Sequence, residues 1–192
     1  MPAAERMWPN SMSRHEAESK LRRVVVTGVG VVSPNGVGAD AYQVSLRRGR
    51  SGIDTISCFD AGALSCRVAG EVRNIEAENI LPAKDIKRTG RAVHLAVTAT
   101  QEALRRARVC PAGMSLAEKQ SWGVILGSGG GTADFVEEQY RLYYSDQLRK
   151  ISAYNVSSST IGSLSSEISI HFGFHGPSHV ISTGCTSSTD AL

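Results

Sequence analysis

The chain has 192 residues, 41% of them hydrophobic and 20% charged, with a formal net charge of +3 at pH 7. These values fit a soluble globular domain or part of a larger one, and the small positive excess argues against a nucleic-acid partner while leaving room for a local basic patch. Apolar runs such as Val24–Val26 are short and interrupted, well below the ~20 residues of a membrane span, so no membrane partner is expected.

Residues 1–20 mix proline, serine, arginine and three glutamates without an apolar core. They are expected to be a disordered tail ahead of a domain spanning 21–192, with Met7 and Met12 as alternative starts. Glu5, Glu16 and Glu18 count against an organelle transit peptide. Cys58, Cys66, Cys110 and Cys185 form no CxxC pair and no regular disulfide framework, and no secretory leader precedes them. Reduced thiols in a cytoplasmic protein are the simplest expectation.

Arg22–Val32 is rich in β-branched residues and lacks polar alternation, which predicts a buried strand. Asn35-Gly36 and Gly38 then turn the chain. Ala39–Arg48 reads as a short helix closed by Gly49, and Ser57–Arg73 as irregular, with one short strand around Arg67–Val72. Val93, Ala96, Val97, Thr100, Ala103, Leu104 and Ala107 recur at helical spacing, and Pro111-Ala-Gly ends that helix. Trp122–Ser128 is another apolar strand, entering the glycine loop Gly127–Gly131. A helix is expected from Thr132 to about Tyr144. In the serine-rich stretch Asn155–His171, Ile161, Leu164 and Ile168 share a helical face. His179–Thr183 reads as a strand and Thr186–Leu192 as the first turns of a helix. Alternating strands and helices predict an α/β layered fold.

Four motifs invite chemistry. Gly28-Val-Gly30 after a strand has the start of a dinucleotide fingerprint, but Ser33 stands where a third glycine belongs, and Pro34-Asn35-Gly36 promotes a turn rather than a helix start. Gly127–Gly131 lacks the lysine of a P-loop. Its missing side chains allow a close approach by either another chain segment or a ligand. His171, His175 and His179 are spaced by four, as metal ligands on one helix would be. Gly173, Gly176 and Pro177 break any such helix, so no metal site is expected.

The fourth motif is Ser182-Thr-Gly-Cys185-Thr-Ser-Ser-Thr-Asp190. A strand arrives, Gly184 bends it, and small hydroxyl residues open a helix. Unsatisfied N–H groups at a helix start favour a thiolate, and such settings bring a cysteine pKa from ~8.5 into the range ~3.5–7.5. The same N–H groups suit an oxyanion formed by attack on a thioester. The competing reading is a buried structural cysteine, which packs as a small hydrophobe.

Taken in order, RRVVVTGVGVVSPNG, GRSGI at Gly49–Ile53, LGSGGG at Leu126–Gly131, RKIS at Arg149–Ser152 and GPSHVISTGCTSS at Gly176–Ser188 resemble the β-ketoacyl-acyl-carrier-protein synthases. The nearest likenesses are the long-chain synthase II type and type II polyketide ketosynthases. The resemblance runs from Arg22 to Leu192. It implies a thiolase-like α-β-α-β-α layered fold, of which this chain is the N-terminal half, cut at the nucleophile helix, and a homodimer for the full-length protein. The implied reaction is a decarboxylative Claisen condensation in fatty acid elongation, with no cofactor beyond the 4'-phosphopantetheine that the acyl carrier protein brings.

Under that resemblance, Cys185 is the acylated nucleophile and its backbone N–H one oxyanion donor. Lys87, Arg88, Arg149 and Lys150 match basic residues that dock the acidic carrier protein. Gly130 stands where long-chain relatives often place a bulky gate to the acyl pocket. Thr89-Gly90 departs from the Met-Asp of many members, and Gly184 from the usual alanine. The STGCTS wording and Asp190 lean toward polyketide ketosynthases. The family's two catalytic histidines and lysine are expected beyond Leu192, so this chain alone is expected to be inactive. A non-catalytic chain-length-factor-like subunit is a further reading, against which Cys185 argues, since such subunits commonly lack that thiol.

Overall fold

The computed structural model describes residues 23–73, 75 and 80–192; the tail expected at 1–20 lies outside them. Two antiparallel ribbons come first. β1 (Val32–Ser33) pairs with β2 (Gly36–Val37) through the turn expected at Asn35-Gly36, and β3 (Ile53–Thr55) pairs with β4 (Val68–Gly70). Between them lies helix α1 (Ala39–Arg47), closed by Gly49 in the left-handed region at φ 60°.

The expectation of a buried strand over Arg22–Val32 is corrected. Residues 23–31 form no ladder among the described residues, and Val24, Val25 and Val26 are 93%, 65% and 82% exposed. What holds this segment is helix α3 (Arg91–Arg106). A Cβ on Gly30 would enter the Ala99 carbonyl and stand 2.9 Å from the Ala103 nitrogen, and one on Gly28 would collide with Ala103 and Ala107. Gly28-Val-Gly30 is thus a close-packing device against a row of alanines rather than a pyrophosphate turn. Glu102 completes the attachment. Its carboxylate accepts from the Val31 N–H at 2.9 Å and from the Ala39 N–H, the first residue of α1, at 2.8 Å. Arg106 bridges Glu102 at 2.9 Å and Asp40 at 2.8 Å.

The core forms where α3 meets α7 (Ser163–Phe172) over a two-stranded parallel sheet. Val93, Val97, Leu164, Ile168 and Leu81 are buried together, with Val124, Leu126 and Val180 packed against them. The helical periodicity expected around Val93–Ala107 is therefore the core face of α3. Strand β5 (Val124–Gly127) pairs in parallel with β6 (Ser178–Ile181), in the register Val124↔Ser178 to Gly127↔Ile181. Since side chains alternate across a strand, Val124 and Leu126 face this core while Ile125 and Gly127 face the opposite side. On that side a Cβ at Gly127 would strike the backbone of the short helix α8 (Ser187–Asp190). Helix, sheet and helix are therefore stacked.

The remaining elements are small. Helices α2 (Ala83–Ile86) and α4 (Leu116–Gln120) have no counterpart in the expected pattern, and α4 carries a complete capping box between Ser115 and Glu118. Helix α5 (Ala133–Tyr144) lies where it is expected. The serine-rich stretch divides into α6 (Asn155–Ser159) and α7, because Thr160 leaves helical geometry with ψ 140°. Ile161 thus falls between helices, while Leu164 and Ile168 enter the core. Among the described residues no helix is long and apolar enough to cross a membrane.

Candidate active site

Parallel pairing in matched register brings the carboxyl ends of β5 and β6 side by side, and both glycine-bearing motifs leave the sheet at that end. The ladder continues one step past the strands, with the Ser128 N–H donating to the Ile181 carbonyl at 3.0 Å. The loop Gly127–Gly131 then runs along the Cys185 turn. A Cβ on Gly129 would lie 3.2 Å from the Gly184 oxygen. Of the two visitors that the sequence leaves open for the glycine loop, a chain segment is present: the cysteine turn itself. Gly130 faces open space, with nothing within 4 Å of its Cβ position. Gly131 adopts φ 60°, and its N–H donates to Ser128 Oγ at 3.0 Å. Crevices at the carboxyl ends of parallel strands are the usual place for ligands in α/β folds.

Cys185 is in the middle of the 3-10 turn Gly184–Thr186, which leads directly into α8. Its thiol is exposed and free, as are those of Cys58, Cys66 and Cys110. Gly184 has φ 69°, a left-handed conformation that suits glycine. The first N–H groups of a helical turn have no preceding carbonyl to receive them, so the amides around Cys185 are available to a developing negative charge. Polar side chains shape the turn. Ser187, 1% exposed, accepts from the Thr183 N–H at 3.0 Å and donates to the Gly184 carbonyl at 2.6 Å. Asp190 accepts from the hydroxyls of Thr183 at 2.5 Å and Thr186 at 3.0 Å.

The basic residues fall in two groups. Asp134, in the first turn of α5, accepts the Arg91 N–H at 2.7 Å and so anchors the start of α3 beside the glycine loop. Lys87 and Arg88 precede that anchor. Lys87 is exposed, but Arg88 is half-buried and committed inward. It forms a bidentate pair with Glu167 at 2.5 and 2.7 Å, reaches Asp85 at 2.9 Å, and lies over the Tyr154 ring at 5.8 Å. Arg149 and Lys150 are exposed on the turn Leu148–Lys150. This turn is secured where the Ser152 N–H donates to the buried Gln139 side chain at 2.8 Å. Lys150 donates to Gln147 at 2.8 Å.

The three histidines at four-residue spacing fall on different pieces of structure: His171 in α7, His175 in the following loop, and His179 in β6. Gly173 ends α7 in the left-handed region at φ 70°. Burial pushes the His171 pKa down, against a smaller upward pull from Asp85. Among the described residues no group of three or more His, Cys, Asp or Glu side chains is placed to hold a metal ion.

A parallel sheet whose adjoining ends present a glycine loop and an exposed thiol at a helix start defines an α/β protein with a cysteine-bearing turn. Residues 21–192 match the family described as β-ketoacyl synthase, N-terminal domain, and the chain belongs to that family. It is 31% identical over 176 residues to a 3-oxoacyl-acyl-carrier-protein synthase 2 of Synechocystis sp., covering 92% of this chain and 42% of that relative. In structure it resembles the ishigamide ketosynthase/chain length factor, with TM-score 0.72 and 26% identity over 84% of this chain and 40% of that one. It shares its fold with a type II polyketide ketosynthase solved in complex with its acyl-carrier protein, with TM-score 0.70 and 16% identity over 87% of this chain and 43% of that one. The fold is therefore thiolase-like, as the resemblance implied, and the chain spans about two fifths of the length of these relatives.

Proposed function

We propose that this chain supplies the acyl-accepting part of a condensing enzyme, an acyltransferase that joins a cysteine-bound acyl chain to malonyl-acyl-carrier protein in fatty acid elongation. The observation that carries this reading is the exposed Cys185 thiol, seated beside the glycine loop at the adjoining ends of β5 and β6. The Cys185 thiolate attacks the thioester carbonyl of an acyl-phosphopantetheine, and the Cys185 N–H helps stabilise the tetrahedral oxyanion. The pantetheine thiolate leaves and takes up a proton, and the acyl group stays on sulfur. Malonyl-carrier protein then loses carbon dioxide, and the resulting carbanion attacks the acyl carbon, releasing the Cys185 thiolate. The resemblance assigns decarboxylation to two histidines and a lysine of the family's second half, and none of these roles is carried over to a residue of this chain.

Gly130, with open space at its Cβ position, would border the acyl pocket under this reading, without the bulky gate of long-chain relatives. Lys87, Arg149 and Lys150 are exposed cations able to steer an acidic carrier protein. Arg88 contributes by holding that region together rather than by facing the partner. The full-length protein works in the cytoplasm as a homodimer under this reading. The Ser182–Asp190 sequence also favours a second reading, the same chemistry in type II polyketide assembly.

Full-length protein incubated with an acyl-carrier protein thioester, digested and weighed, should carry the acyl group on Cys185 and not on Cys58, Cys66 or Cys110. Cys185→Ala should abolish product. Unchanged condensation in that variant would remove the proposal, and the mass of the trapped acyl group separates the fatty acid and polyketide readings.

A further inference from the structure

Residues Ser182–Thr186 are all exposed, so side-chain packing does not fix the turn that presents the Cys185 thiol. Two polar clasps do so instead. The buried one is Ser187, joined to both sides of the bend at Thr183 and Gly184. The outer one is Asp190, whose single oxygen Oδ2 receives the hydroxyls of Thr183, before the cysteine, and Thr186, after it. Thr186 Oγ1 also lies 3.0 Å from Thr183 Oγ1, closing a triangle of oxygens across the turn. From these bonds we infer that Asp190 is a positioning residue for Cys185. It clamps the residues on either side of the thiol so that sulfur and backbone N–H keep one relative orientation. This role rests on the acyl-transfer reading for its consequence, but the clamp itself is measurable without it.

The chemistry needed is an acceptor oxygen at the right place rather than a negative charge. Asparagine at 190 keeps such an oxygen in the same shape, whereas alanine removes it. Two readouts on full-length protein decide the matter. Amide hydrogen exchange over the peptide containing residues 183–187 should quicken in Asp190→Ala and in the Thr183→Val/Thr186→Val double variant, and stay near wild type in Asp190→Asn. Acyl transfer to Cys185 from an acyl-N-acetylcysteamine thioester should fall about ten- to a hundredfold in the alanine variant, as expected for misplacement of a reacting group by about an ångström, with asparagine restoring most of the rate. The thermal midpoint and far-ultraviolet circular dichroism of the same variants provide the control for overall folding.

Unchanged exchange in Asp190→Ala overturns the clamp, whatever happens to acylation. Faster exchange with undiminished acyl transfer overturns the positioning role. An asparagine variant as impaired as the alanine one overturns it too, because charge would then be the operative property. Faster exchange in a protein whose wild-type Cys185 takes no acyl group supports the clamp and removes the acyl-transfer reading.

Discussion

A Cβ placed on Gly127 would run into the carbonyl of Ser187 and stand 2.6 Å from the Cα of Ser188. Strand β5 and the helix that follows the candidate nucleophile therefore touch backbone to backbone. No flexible side chain is there to give way, so Gly127→Ala must push helix and strand apart. Overpacking of this kind costs about 1–3 kcal/mol. In a protein of this size each kcal/mol lowers the melting midpoint by about 2–4 °C. The thermal midpoint and the acylation rate at Cys185 should fall together. A variant with wild-type values in both would show that α8 does not rest on β5.

Gly30→Ala provides the corresponding check on the first glycine motif. A methyl group there meets the Ala99 carbonyl and the Ala103 nitrogen, so the expected result is a loss of stability on the same ~1–3 kcal/mol scale. Nicotinamide dinucleotide should bind neither the parent nor the variant. Saturable binding to the parent, lost in the variant, would reinstate the dinucleotide reading.

Glu102 predicts an acid-dependent change in stability. Burial raises its pKa, but the Val31 and Ala39 N–H groups and Arg106 together outweigh that and hold it below the usual carboxylate value. With the folded value depressed, the unfolded chain binds more protons in mild acid, and stability rises with pH across that range. The contribution is complete above the ordinary carboxylate value of 4.5 and is lost as pH falls through the folded value. Glu102→Gln should cost about 1–3 kcal/mol at neutral pH, because an amide NH2 would face a backbone donor. The gap between parent and variant in urea midpoint should narrow in acid. A gap that stays constant down to pH 3 would contradict the assignment.

Arg88 and the exposed pair Arg149 and Lys150 should separate experimentally. Arg88→Ala leaves Glu167 half-buried without its cation, and is expected to lower stability by about 1–3 kcal/mol with little change in the salt dependence of carrier-protein binding. Arg149→Ala with Lys150→Ala should leave stability within about 0.5 kcal/mol and weaken binding most at low ionic strength. Equal salt slopes for parent and double variant would exclude Arg149 and Lys150 from docking.

The core was largely legible from sequence. Val93, Val97 and Leu104 announce α3 through helical spacing, and Leu164 and Ile168 announce α7, because one buried stripe repeats every three or four residues. Leu164, 1% exposed, should accordingly cost about 2–5 kcal/mol when cut to alanine. The Cys185 turn was legible for a related reason, since its strand, glycine and hydroxyl residues are contiguous. The ties that place the site were not legible. Arg88 meets Glu167 across 79 positions and Arg91 meets Asp134 across 43, and polar pairs at such distances leave no local periodicity. Helix α4 is a different case. Ser115 and Glu118 spell its capping box openly, but five residues are too few for an apolar stripe to show. Val24–Val26 misled because their composition reports how well they suit a ladder, whereas their exposure depends on what lies alongside.

That valine run gives residues 23–31 two unlike margins, one seated on alanines and the other bare. Three consecutive exposed valines make this stretch a local site for self-association, because an uncovered β-prone segment recruits its own kind. A single lysine at position 25 would act as a gatekeeper there. It would keep concentrated solutions clear while sitting on a different part of the chain from the thiol.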